Sequence, residues 1–294
     1  MAQKKRKKIA WGQVGLHIFF IFSCLLYILP MMLIVSNSFS GVDFKYFSIF
    51  PQDFTTYAYK LVFQKPKELL DAYLVTFIYS AAGVATSLII NSLFAYAMSR
   101  PNFKLRKIFN VLIFIPMVFG GGLVPHYLVI SGWLHLNDTI WVYIIPAMYA
   151  SWTVILFRTF FRNLPQDLFE AARLDGASEL RICFNIAIPL STPIMVTHAY
   201  SKFLGGWNDW VTCSIYVREP TLYSLQYVLK RYMDGAGSDL IGLSGDRFTA
   251  AQSVAMLEPV KYAMAVLGIG PAILIFPFIQ KYYDKGIVMG SLKG

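Results

Sequence analysis

Six stretches of the chain, 16–39, 70–98, 108–131, 139–161, 188–216 and 260–282, are apolar over lengths that suit a bilayer crossing. About 20 mainly apolar residues make a transmembrane helix, because a helix satisfies its own backbone within hydrocarbon. The pattern therefore predicts an all-α fold, a polytopic transmembrane helical bundle of six spans. The fifth stretch is the weakest, since Lys202, Asn208 and Asp209 interrupt it. The first follows the basic run 4–8, as the core of a signal peptide would. It is longer than the roughly 7–15 residues of such a core, and no small-residue cleavage site closes it. It reads as a retained span.

Two local patterns depart from a plain bundle. Gly120-Gly121-Gly122, with Pro125 behind it, sits inside the third stretch. Backbone freed there is tolerated only against protein or a wet cavity. The same small residues equally suit a close helix crossing. Asn208 and Asp209 stand between Trp207 and Trp210. At depth such groups mark a pathway through the bundle; if the span ends early, they belong to an aromatic belt at the membrane interface.

Composition narrows the class. Only 14% of the 294 residues are charged and 56% are hydrophobic, against about 25% charged in soluble domains. The apolar runs therefore belong to a membrane rather than to an oversized core. A net charge of +10 could suggest nucleic acid, but the basic residues cluster in short segments beside apolar runs, which is the positive-inside pattern. Arg100, Lys104, Arg106 and Lys107 lie between spans two and three, Arg162, Arg173 and Arg181 between four and five, and Lys281, Lys285 and Lys293 beyond six. Segment 132–138 has no Lys or Arg. Both termini and the loop 163–187 are thus expected in the cytoplasm, and 40–69 and 217–259 outside. Cys24, Cys183 and Cys213 are scattered, with neither a disulfide framework nor metal-ligand spacing.

The loop 163–187 carries the most information. Pro165 suits the start of a helix, and Asp167 and Glu170 suit its positive end. Leu164, Leu168, Ala171 and Ala172 recur at helical spacing. Gly176 permits the left-handed residue that ends such a helix. Ser178 can cap a second helix carrying Leu180, Phe184 and Ile188, interrupted by Pro189. The product is a helix–Gly–helix elbow with nothing catalytic in it, suited to being gripped by a partner.

Glu170-Ala171-Ala172, three residues, Gly176, nine residues, then Ile186-Ala187-Ile188-Pro189 resembles the EAA motif of ABC-importer permeases, with Ile188 in place of Leu. The resemblance extends over nearly the whole chain. Gly206-Trp207-Asn208-Asp209-Trp210, Tyr223-Ser224-Leu225-Gln226 and the tail from Gln280 to Gly294 resemble the maltose-type, sugar-importing branch, Asp284 standing where an apolar residue is usual. Gly120-Gly121-Gly122-Leu123-Val124-Pro125 and Leu136-Asn137-Asp138-Thr139 are similar to a subgroup associated with complex oligosaccharides and polysaccharide fragments.

The resemblance implies a permease domain over 1–294 in a bacterial cytoplasmic membrane. It implies a second homologous permease, two cytoplasmic ATPase subunits and an extracytoplasmic solute-binding protein as partners, with membrane lipid around the bundle. Glu170, Ala171, Ala172, Asp175, Gly176, Ile186 and Pro189 would form the ATPase-coupling surface. Lys285, Gly286, Gly290 and Gly294 would place the tail against the ATPases, unless the tail is only a basic anchor. Tyr200, Trp207, Asn208 and Trp210 are the candidates for an oligosaccharide pathway, unless the tryptophans are interface anchors. No catalytic residue and no metal ligand is expected, and no cofactor on this chain; ATP and Mg would sit on the partner subunits. The rival readings are a membrane-embedded enzyme, a channel, or an ABC permease for a non-sugar solute. His17, His126, His135 and His198 are dispersed, no Gly-x-Ser-x-Gly elbow appears, and no filter segment or ring of like charge is evident.

Overall fold

The structure is a computed structural model that describes residues 11–41, 49–51, 53–64, 66–236, 257–270, 272–274, 277 and 280. The basic run 4–8 and the tail positions Lys285, Gly286, Gly290 and Gly294 lie outside the described residues. Two compact units are present, one of Met1–Lys65 with Arg231–Leu267 and one of Pro66–Lys230 with Gly268–Gly294.

In the first unit, α1 (Trp11–Asn37) is a 27-residue apolar helix. Phe19, Phe20, Phe22 and Leu25 are each more than half exposed, the surface that a lipid-facing helix presents. Beyond its end the Ser38 hydroxyl meets the Tyr59 hydroxyl at 2.8 Å, on α2 (Tyr57–Val62). Phe39 packs between Phe54 and Tyr59.

The second unit is built around α3 (Pro66–Ser99), 34 residues long. Its buried face is small and polar, with Ser80, Gly83, Ser87, Asn91, Ser92 and Ala95. Small residues let backbones approach closely where lipid offers no hydrophobic drive to association. After α3 come α4 (Arg106–Val118), α5 (Leu123–Tyr127) with a π turn Leu128–Trp133, α6 (Trp141–Ile144) and α7 (Ser151–Arg162). Then follow α8 (Gln166–Leu174), α9 (Glu179–Ile182), a π turn Cys183–Ala187, α10 (Ile188–Leu190), α11 (Thr192–Trp207), α12 (Val211–Tyr216) and α13 (Leu225–Arg231). No strand occurs among the described residues. The main partners of α3 are α11 and α7. Gly206 makes the contact with α11 close, because an added Cβ there would lie 2.7 Å from Ser80 Oγ.

Two cores form along α3, one at its C-terminal end and one near its middle. One gathers Tyr96, Ile113, Phe157, Phe161, Phe169 and Ile182. The other gathers Tyr79, Ile130, Val142, Tyr143, Cys213 and Tyr216. At 1.5 Å per residue, Tyr79 and Tyr96 are about 25 Å apart along the helix. Beside the second core, Asp138 accepts the amides of Arg218 and Glu219, the latter at 2.9 Å. Those two bonds hold its carboxyl below the usual carboxylate range.

The helical bundle is as the hydrophobic pattern predicts, but its spans are not six plain helices. Trp11–Asn37, Pro66–Ser99 and Leu257–Leu274 contain windows long and apolar enough to cross a membrane. Arg106–Val118 with Leu123–Trp133 forms a pair bent by 117°, and Glu179–Leu190 with Thr192–Trp207 a pair bent by 82°, which brings the number to five. The first bend falls on the triple glycine. Gly122 has φ of 81°, which an L side chain rarely adopts, and no atom lies within 4 Å of an added Cβ at Gly120 or Gly122. The expected span 139–161 is two helices of 4 and 12 residues, parted at 145–150. Its freed backbone is met by Asn91 of α3, which donates to Met148 O at 2.9 Å and accepts from Ala150 N at 3.0 Å. Paired in that way with a neighbouring helix, the freed backbone groups at the break are satisfied.

Candidate functional site

The elbow forms as its sequence dictates. Pro165 precedes α8, and Asp167 lies in the first turn. Gly176 closes the helix with φ of 77°. Its amide donates to Arg173 O at 3.0 Å, and Ala177 N donates to Ala172 O at 2.9 Å. That pair of bonds is a Schellman turn, which satisfies the last carbonyls and requires a left-handed residue at its corner. Ser178 Oγ then accepts Arg181 N and starts α9. The π turn at Cys183–Ala187 runs into Pro189, which has no amide to donate.

One face of α8 is anchored and the other is free. Phe169 is fully buried in the core. Glu170, Ala171, Asp175 and Gly176 are exposed, Ala172 and Ile186 are half-buried, and Pro189 is exposed. Leu174 is 89% exposed and Leu180 63%. These apolar side chains stand outside beside the acidic Glu170.

The anchor was not foreseen from sequence. Arg100, just past α3, holds its guanidinium 4.1 Å from the Phe169 ring centroid and 4.6 Å from that of Tyr96. Tyr96 OH donates to Glu179 Oε2 at 2.6 Å, and Arg173 Nε donates to Glu179 Oε1 at 2.8 Å. Glu179 thus bridges the end of α3 to α8. Arg173 and Glu179 are 40% and 54% exposed, so the ion pair alone contributes little; the buried Phe169 and the Tyr96 hydroxyl fix the geometry. A cavity of about 740 Å³ opens beside them, lined by Arg100, Asn102, Gln166, Glu170 and Glu179 among others. Arg100 counted in the sequence only as a topological charge, and nothing in its spacing marked it as a pin.

The candidate pathway residues lie on α11 and at the turn into α12. Trp207 is buried, with Nε1 donating to Gly268 O at 2.9 Å and its ring against Phe203 and Tyr73. Tyr200 is half-buried on α11. Asn208 is exposed and donates to Leu204 O. Trp210 is 40% exposed beneath the Lys230 ammonium.

Residues 78–289 match the family of binding-protein-dependent transport system inner membrane components. Protein LplC of Bacillus subtilis is 35% identical over 270 residues, covering 91% of this chain and 90% of that protein. The polygalacturonan/rhamnogalacturonan transport system permease protein YtcP of the same organism is 31% identical, covering 94% and 96%. Among solved structures, a bacterial ABC transporter involved in the import of the acidic polysaccharide alginate matches with a TM-score of 0.80 and 28% identity, over 96% of this chain and all of that one. The chain belongs to the family of binding-protein-dependent transport system inner membrane components.

Proposed function

We propose that this chain is one permease subunit of an ATP-driven importer of oligosaccharides or polysaccharide fragments, coupled to cytoplasmic ATPases through the elbow 163–187. The observation that carries the reading is α8, with Phe169 buried beneath it and Leu174 and Glu170 turned outward. The relatives named for polygalacturonan/rhamnogalacturonan transport and for alginate import support a carbohydrate cargo. Transport, not covalent chemistry, is the task. ATP and Mg belong to two separate ATPase subunits, and a second permease and an extracytoplasmic binding protein complete the assembly. Closure of the ATPases on ATP moves α8, and Phe169, Arg100 and Glu179 pass that movement to α3. Shifting a two-state bundle from 1:99 to 99:1 requires about 5.5 kcal/mol of differential binding. Glu170, Ala171, Ala172, Asp175, Gly176, Ile186 and Pro189 make the ATPase-facing surface, with the tail from Lys285 to Gly294 beside it. The termini and the elbow face the cytoplasm.

Copurification of an ATPase with the wild-type chain, lost in Glu170→Lys at equal membrane insertion, tests the coupling role. Retention of the ATPase and of full substrate-stimulated hydrolysis by Glu170→Lys would refute it. Labelling of Ser178→Cys from outside intact cells by an impermeant reagent would overturn the orientation.

A further inference from the structure

Between α4 and α7 runs a groove of about 400 Å³. Its apolar lining includes Val111, Phe114 and Ile155, and Val111 and Phe114 are each more than half exposed. Its polar lining, Asn110, Arg158 and Thr159, lies toward the start of α4 and the end of α7. Arg158 stands within the apolar stretch 139–161, where an ionisable side chain is costly unless its charge is balanced. Its Nη1 donates to Asn110 Oδ1, a neutral partner that leaves the charge as it was.

The other charges that act on Arg158 are Arg106, at the start of α4, and Arg162, at the end of α7. All three have the same sign. Neither α4 nor α7 contains an Asp or Glu, and α3, packed against α7, has none beyond Asp71. A positive-inside bias asks for cations near this level of the bundle; it does not ask that they converge on one groove with apolar walls. A phosphate diester supplies the missing negative charge and the oxygens that a guanidinium binds in pairs. A zwitterionic headgroup would bring an ammonium back to the same cations. An α1 helix from a second copy of this chain would cover the apolar wall, but α1 has no acidic residue and follows the basic run 4–8.

We propose that this groove holds an anionic phospholipid, its acyl chain along Val111, Phe114 and Ile155 and its phosphate among Arg106, Arg158 and Arg162. The lipid then bridges α4 to α7 where α7 runs into the elbow. The site is separate from the cargo path and does not depend on what the importer carries.

The test uses the complete complex, with its second permease and ATPases, in phosphatidylcholine nanodiscs. These carry a trace of phosphatidylglycerol with a photoreactive group in its acyl chain. Labelled peptides are mapped by mass spectrometry, and unlabelled lipids compete for the site. Label is expected on 110–114 and 155–159, displaced at least about ten-fold more effectively by phosphatidylglycerol than by phosphatidylcholine. Arg158→Gln and Arg162→Gln should each weaken that displacement about five-fold, and Arg158→Lys, which keeps the charge, should retain most of it. Copurification of the ATPases checks assembly, and Arg162 is exposed, so its replacement decides the matter if Arg158→Gln does not fold. Equal displacement by the two lipids, or displacement by phosphatidylglycerol unchanged in Arg162→Gln, would overturn the proposal. So would displacement by inorganic phosphate at the same concentration, which would mean a phosphate site with no place for a lipid. A groove that takes no label, as when a helix of the second permease covers it, would overturn it as well and leave the importer reading standing.

Discussion

Replacing Gly176 isolates the corner of the elbow. Its φ is 77°, and an added Cβ would meet nothing within 4 Å. An alanine therefore meets only the backbone penalty of the left-handed region, about 1–2 kcal/mol, which is roughly a 5–30-fold change in an equilibrium. Asparagine enters that region more easily than alanine. Proline cannot enter it, since its φ is fixed near −65°. Proline also removes the amide that donates to Arg173 O at 3.0 Å, a bond of net worth about 1 kcal/mol. The elbow would then have to leave its Schellman turn, and α8 would lose its direction. Substrate-stimulated ATP hydrolysis in the assembled complex is the assay, with membrane-fraction yield as the insertion control. Expected activity falls in the order Gly, Asn, Ala, Pro, with Pro inactive. Wild-type stimulation in Gly176→Pro would refute the coupling role. Equal loss in Ala and Pro would refute the backbone argument, because it would mean that the partner touches the Cβ position itself.

Glu179→Ala leaves the buried Tyr96 hydroxyl without its acceptor, a cost of about 1–3 kcal/mol; stimulated hydrolysis should fall while ATPase retention persists, and Glu179→Gln should be milder. Gly206→Ala places a methyl 2.7 Å from Ser80 Oγ and 3.3 Å from its Cα. It should destabilise the complex in detergent by about 1–3 kcal/mol, with partial rescue by Ser80→Ala, read as a melting temperature. The carboxyl of Asp138 is depressed by the Arg218 and Glu219 amides, so its clasp is fully present above the ordinary carboxylate range, near about pH 4, and is lost as pH falls through its lower folded value. Hydrogen exchange of those amides should therefore be faster in Asp138→Ala than in wild type at neutral pH, and the two should converge in acid. Deleting 286–294 should preserve insertion but weaken ATPase retention on purification; unchanged stoichiometry and transport would leave the tail as an anchor only.

The elbow was legible because its signals are local. Gly176 and Ser178 each act on backbone within a few residues, so spacing alone placed the corner and the second helix. The helices of spans one and two were legible for the same reason, being long and uninterrupted. The break at 145–150 carries a local signal in Pro146, which has no amide to donate, but the group that compensates it, Asn91, lies far away in sequence on α3. Arg100 was read as charge alone, a topological marker. What it does depends on the rings around it, brought there by packing between distant helices. The neighbours of Trp207 were likewise illegible, since the Gly268 carbonyl and the Tyr73 ring that meet its indole come from distant parts of the chain.

The dependence of segment 139–161 on Asn91 also bears on how the protein is made. A four-residue helix and a twelve-residue helix cannot each span hydrocarbon, and between them Met148 O and Ala150 N take their partner from Asn91 of α3. Released alone from the insertion machinery, the segment would expose those groups to acyl chains. It has a stable place only once α3 stands beside it to supply the carboxamide. The break in this segment therefore depends on α3, whose Asn91 closes two of its hydrogen bonds from a position more than fifty residues away in the chain.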